Sequence, residues 1–405
     1  MDRANFPGRG KVAVLRTRPE TVLEDYARLM HLAEYDKVLP KDEETIIKLN
    51  LSWTKYFPAC SSQPWQLEGV LNTMLGDGYL RERLYPVENK TVVTDPRKGA
   101  VNNRWMPVLE KYDLPFIPLP EVEWVTYEFK SELLRVDKLF PQGIEIPRMF
   151  IGKNVIHLPT VKTHGHSVTT GSIKNSFGGL LKEVRHYGHE FIHEVLVDLM
   201  TMQRELHPAV FAVMDGTVCG DGAGPRTMRP VIGNFILASA DQVAIDAVAA
   251  KMMGFDPLAI PYLRMAAEMG YGVADPREIE VIGDDISDVN MGFESKRSFV
   301  IWGDQMIRKG PLRPFKRILL HSPLMVWAPF ASNVYHDWLW YPTIGQKHIN
   351  EFMKTEWGQL FQSYEAGEVT QPSRFLRTAA FAALAGIATL AAGYFWWRGR
   401  DMEEP

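Results

Sequence analysis

Residues 158–200, LPTVKTHGHSVTTGSIKNSFGGLLKEVRHYGHEFIHEVLVDLM, hold five of the chain's eleven histidines (164, 166, 186, 189 and 193) together with Lys162 and Lys174. The block begins where the strand-like NVIHLP (154–159) ends, so Lys162, Thr163, His164 and His166 are expected on a loop at a strand's carboxyl end, where open α/β sheets bind ligands. Gly171 to Asn175 then opens a helix whose free N–H groups attract an anionic oxygen, with Lys162 and Lys174 supplying charge. A phosphate or carboxylate is the expected guest; the plainer alternative is a capped, solvated loop. In the same block His189, Glu190 and His193 spell H-E-x-x-H, which on one continuous helix sets two imidazoles a turn apart beside a carboxylate base. Glu194 directly after the second histidine, with no third ligand motif downstream, argues against a zinc protease and leaves another metal role or ordinary surface histidines.

A second constellation follows the strand-like AVFAVMD (209–215): Asp215 and Gly216, then Asp221, Gly222, Gly224 and Arg226. Glycines let a loop's backbone approach a ligand closely. Asp215 at the strand end suits a metal or a hydroxyl, and Arg226 an anionic group gripped bidentately. The segment is neither a dinucleotide fingerprint nor a P-loop, since G-x-G-x-x-G before a helix and G-K-[ST] are both missing. Cys219 within it becomes a nucleophile only if a neighbour lowers its pKa. Further on, Asp241 reads as a helix cap, while Asp246, amid Ile245, Ala247 and Val248, either points to solvent or reaches the site.

The elements that must position these residues alternate in a βαβ rhythm: strands at 11–17, 45–51, 91–95, 122–129, 154–159, 209–215 and 234–240, helices at 21–35, 64–75, 170–182, 185–206, 241–253 and 257–269. This predicts an α/β fold with a mixed or mostly parallel sheet flanked by helices, followed by a single C-terminal transmembrane helix. The expected divisions are an α/β body (1–285), an aromatic-rich extension (286–375), an anchor (376–398) and a polar tail (399–405). At about 150 residues per domain, 405 residues make one large or two medium domains. A composition 46% hydrophobic and 23% charged excludes a disordered chain. The net charge of −4 gives no basic surface for nucleic acid. Two cysteines cannot supply the four thiolates of an ordinary iron–sulfur cluster.

From Thr378 to Trp397 the chain runs without a charge, flanked by Arg374, Arg377, Arg398 and Arg400 and ending in Tyr394, Phe395, Trp396 and Trp397. A helix of about 20 residues spans about 30 Å, one hydrocarbon core, so this segment is the expected contact with the lipid bilayer. The first residues, MDRANFPGRGKVAVLRT, have no signal-peptide core, which places the body in the cytoplasm of a single-pass membrane protein. The aromatic stretch 318–341 either rests on the headgroups or packs beneath the body.

These blocks together resemble the family known as domain of unknown function 362. The matching motifs are Lys162-Thr163-His164, Lys174-Asn175-Ser176-Phe177-Gly178, Asp215-Gly216 with Gly222-Ala223-Gly224-Pro225, Ser239-Ala240-Asp241 with Asp246-Ala247, and Gly254-Phe255-Asp256-Pro257. Lys48-Leu49-Asn50 fits the family's K-P-N except that Leu49 replaces proline. The resemblance covers about residues 10 to 285 and implies an α/β protein without an agreed reaction, often joined to iron–sulfur modules. Lacking those cysteines, this chain would meet a cluster only on a separate iron–sulfur protein. The function expected is a membrane-anchored enzyme acting on an anionic small molecule or lipid-linked intermediate, in a redox or metal-dependent pathway. Two alternatives are a non-catalytic assembly factor at the membrane and a zinc metalloprotease. Catalytic roles are expected of Lys162, His164 and Asp215, and ligand contacts of Lys48, Asn50, Lys174, Asn175, Asp221, Gly222, Gly224, Arg226 and Asp246. His189 and His193 are the candidate ligands for a divalent metal.

Overall fold

The computed structural model describes residues 6–308, 310 and 327–365. Short runs, many of them rich in β-branched residues and buried on both faces, build its strands: β1 (Lys11–Arg16), β2 (Thr45–Lys48), β3 (Leu84–Glu88), β4 (Ile117–Pro118), β5 (Trp124–Tyr127), β6 (Ile144–Pro147), β7 (Asn154–His157), β8 (Thr160–His164), β9 (Val168–Thr170), β10 (Val210–Ala223), β11 (Thr227–Ser239) and β12 (Glu280–Gly283). Ten of them form one sheet with the order β12-β1-β11-β10-β7-β2-β3-β4, to which β8 adds beside β10 and β9 beside β8. The run β10-β7-β2-β3-β4 is parallel, whereas β11 pairs antiparallel with both β10 and β1. The strands β5 and β6 make a separate antiparallel pair.

Because side chains alternate across a strand, each strand feeds two cores. Val12, Val14, Ile46, Ala212 and Met214 face the helices Ser172–Leu180, Ile192–Leu206, Gln242–Met253 and Pro261–Glu268. Their neighbours Ala13, Leu15, Ile47, Phe211 and Val213 face the helices Val22–Leu32, Pro64–Gly76 and Trp105–Lys111. This double coverage is what a largely parallel sheet requires.

Three departures from the expected elements bear on the site. TVVTD (91–95) is a turn closed by the Thr91–Thr94 bridge, and the strand lies earlier at β3, which the proline in LYPVE masks. Residues 160–164 are a strand rather than a loop. The helix expected over 185–206 splits into a 3₁₀ stretch, Glu183–Phe191, and the α-helix Ile192–Leu206.

Part of the described aromatic extension packs on the body, while Phe330 is exposed. Trp340, Tyr341 and Trp357 are buried. The Tyr341 hydroxyl donates to Tyr56 O at 2.9 Å, Trp357 Nε1 donates to Asn234 Oδ1 at 2.7 Å, and the Trp357 ring lies 5.2 Å from that of Trp65. Among the described residues no helix is long and apolar enough to cross a membrane. The expected anchor, 378–397, and the tail 399–405 lie outside the described residues.

Candidate functional site

Lys162 is central in β8, wholly buried, its Nζ donating to Cys60 O (2.8 Å), Thr160 Oγ1 (2.7 Å) and Asn50 Oδ1. All three acceptors are neutral, so burial pushes its pKa down to about 8. Lys48 ends the parallel strand β2 and is also buried, but it has a counter-charge: Nζ donates to Glu88 Oε1 at 2.7 Å and to Leu49 O at 2.6 Å. Burial disfavours the charge on both members of this pair. Asn175 ties the next helix to that strand, donating from Nδ2 to Lys48 O at 3.0 Å.

Lys174, in the first turn of the helix Ser172–Leu180, is half-buried. Its ammonium sits 5.5 Å from the Phe177 ring centroid and has no hydrogen-bond or ion-pair acceptor among the described residues. Burial, then the positive charges of Lys162 and Arg185, push its pKa down to about 7. His164, at the end of β8, is buried, and its Nδ1 accepts from the backbone N–H of His166 (3.1 Å) and Ser167 (3.3 Å). That assigns the ring proton to Nε2. Burial and the adjacent Lys174 hold the imidazole neutral, its pKa well below the ordinary value. The His166 and His189 rings stack 4.9 Å apart beside it.

Asp246 neither points to solvent nor takes part in the basic cluster directly. It crosses from the helix Gln242–Met253 to accept from the backbone N–H of Ser172 (2.6 Å) and Ile173 (3.1 Å). The anion expected at that helix N-terminus is therefore supplied by the chain itself. A Cβ on Gly171 would stand 2.2 Å from Asp246 Oδ1, which is why glycine precedes the helix. Burial raises the Asp246 pKa to about 7. A carboxyl whose folded pKa is raised contributes stability that is present below the unfolded value, near 4, and lost as pH rises through 7. We expect stability in Asp246→Asn, relative to the native chain, to lack that decline, a difference in slope of up to about 1.4 kcal/mol per pH unit between pH 4 and 7. Urea titrations across that range measure it.

The glycine-rich segment 215–226 is a long β-hairpin rather than an open loop. Asp215 faces the opposite core, accepting from the Tyr26 hydroxyl (2.7 Å), Trp65 Nε1 (2.9 Å), Thr217 Oγ1 (2.8 Å) and Thr217 N–H (3.1 Å). So placed, it holds two helices to the sheet instead of meeting a ligand. Asp221 bonds across the hairpin to Arg229 at 2.9 Å and accepts from Glu294 N–H. Gly222 and Gly224 form the tip that docks on β8, with Thr163 Oγ1 donating to Gly222 O at 2.9 Å and Gly165 N–H to Gly224 O at 3.2 Å. Arg226 turns toward the C-terminal segment, donating to Ser332 Oγ at 3.0 Å. The hairpin thus abuts Lys162, but its carboxylates are engaged elsewhere. Cys60 and Cys219 are buried free thiols whose pKa burial raises, to about 11 for Cys60, so neither is poised as a nucleophile.

The H-E-x-x-H pair does not form a metal face. His189 lies in the 3₁₀ stretch and stacks on His166, whereas His193 opens the following helix and stacks 6.1 Å from Tyr262. A 3₁₀ turn rotates successive residues by more than an α turn, so the one-face spacing is lost. No group of three metal-ligating side chains occurs among the described residues. Sequence reasoning missed Glu88, at the end of the proline-bearing strand, and Arg185, buried and donating to the Lys90, Leu181 and Lys182 carbonyls. No local pattern marks either one.

The chain is 25% identical over 197 residues to a thylakoid-associated protein of Synechocystis sp., an alignment covering 46% of this chain and 59% of that protein. This chain therefore matches only about three fifths of that relative's length. No solved structure matches. The family model described as domain of unknown function (DUF362) matches residues 45–251, half the chain and every residue of the basic cluster, and the protein belongs to that family.

Proposed function

We propose that this protein is a membrane-anchored enzyme that binds an anionic small molecule or lipid-linked intermediate in the basic hollow between β2, β8 and the helix Ser172–Leu180. The observation that carries the reading is electrostatic. Lys162 and Lys174 lie close together, buried and half-buried, without an ion-pair partner among the described residues. Holding uncompensated cations out of water is costly, and a bound anion would offset that cost. The neutral His164, with its Nε2 proton, would hydrogen-bond a developing oxyanion, and an amine near neutrality would move a proton. The name of the thylakoid-associated relative supports a place at a membrane, as does the apolar segment 378–397.

One observation favours a non-catalytic binding factor instead. Asp215, Asp221 and Asp246 are all committed to internal bonds and Glu88 is paired with Lys48, so none of these four carboxylates stands free as a base in the hollow. The readings separate by turnover. Comparing metabolites and lipids of a deletion strain and its parent, we expect an anionic species to accumulate in the deletion and to clear when the native gene, but not Lys174→Met, is restored. Unchanged metabolites would remove the enzyme reading. Inorganic phosphate should raise the melting temperature of the purified protein but not that of Lys162→Met or Lys174→Met.

A further inference from the structure

We propose that Lys174 is a nucleophilic amine that condenses with the carbonyl group of an anionic aldehyde or keto acid to form an imine, a role that rests on the anion-binding reading above. Among the lysines of this cluster it alone suits the task. Lys48 is neutralised by Glu88, and the three N–H groups of Lys162 are taken by Asn50, Cys60 and Thr160. Lys174 has no hydrogen-bond or ion-pair acceptor among the described residues, is half-buried rather than sealed, and holds its nitrogen 5.5 Å from the Phe177 ring centroid. A lysine becomes nucleophilic when desolvation and a second cation favour its free base. Both are present, since Lys162 and Arg185 lie close enough to repel its charge and bring its pKa to about 7. The same cations would hold the substrate's anionic group, and His164 stands next to the amine with its proton on Nε2.

The step balances without an oxidant or reductant. The nitrogen lone pair attacks the carbonyl carbon, one proton passes from nitrogen to oxygen to give the neutral carbinolamine, and the second N–H proton joins the hydroxyl as the C–O bond breaks, so that water leaves and C=N forms. The Nε2–H of His164 would polarise the carbonyl and then the departing hydroxyl.

Glyoxylate is the probe. The full chain is incubated with glyoxylate and sodium cyanoborohydride at pH 7, and carboxymethyl-lysine is mapped by peptide mass spectrometry. We expect Lys174 to be labelled at least about tenfold faster than the exposed Lys98 and Lys251, because the free-base fraction of an amine of pKa near 7 is far larger. Its rate should reach half-maximum near pH 7 and fall when phosphate is added. Lys162→Met, which removes one repelling charge, should slow Lys174 labelling at pH 7 and restore it by pH 9, a response that misfolding would not give. Labelling of Lys174 no faster than of Lys98 overturns the proposal. If phosphate still stabilises the protein in that case, the anion site stands and only the imine is lost; if neither effect is seen, both readings fail.

Discussion

Asp215→Ala is expected to lower the stability of the protein by about 4 kcal/mol, read as a shift in the urea midpoint of tryptophan fluorescence. The carboxylate is wholly buried and accepts from four donors, two on the helices Val22–Leu32 and Pro64–Gly76 and two on Thr217. Removing it strands the Tyr26 hydroxyl, the Trp65 N–H and the Thr217 N–H, each at about 1–3 kcal/mol, and adds a cavity. Asp215→Asn sharpens the argument. The Tyr26 and Thr217 hydroxyls can turn to accept, but the Trp65 and Thr217 N–H groups cannot. Either orientation of the amide therefore sets an NH₂ against one fixed donor, and a cost of about 2 kcal/mol is expected. A loss under 1 kcal/mol for the alanine variant would contradict this account of how the two helices are tied to β10.

Gly224→Ala carries the second large effect, about 3 kcal/mol together with loss of phosphate-dependent stabilisation. A Cβ there would lie 1.9 Å from Thr163 O and 2.7 Å from its carbonyl carbon. Those are backbone atoms and cannot rotate aside, so the hairpin tip must part from β8, giving up the bonds to Gly165 and Thr163. Lys162, one residue before that contact, would lose its placement. Gly222→Ala is the control: its φ of +107° is strained for alanine, but nothing lies within 4 Å of the added methyl, so about 1 kcal/mol is expected. Equal costs for the two variants would show that strain alone, not the close approach, explains the glycine at 224.

What the residues determine by themselves is whatever rests on neighbours along the chain. The strands β1, β2 and β7 and the helices 22–32, 64–76 and 242–253 follow from period and caps, and Asp241 caps its helix as its position before Gln242 implies, accepting from Val243 and Ala244 N–H. The clustering of Lys162, His164, Lys174 and Asn175 at one end of the sheet is likewise visible in their order around a strand and a helix. Tertiary structure alone decided the rest. That 160–164 is a strand depends on Asp215 and Gly220 lying alongside Thr160 and Lys162 in β10, 55 and 58 residues away. Asp246 and Asp215 look like ligand carboxylates until the donors they meet, 73 to 189 residues distant, are in place. The lysines are legible as letters, but whether an amine is charged depends on how much water and which cations surround it, and folding sets both.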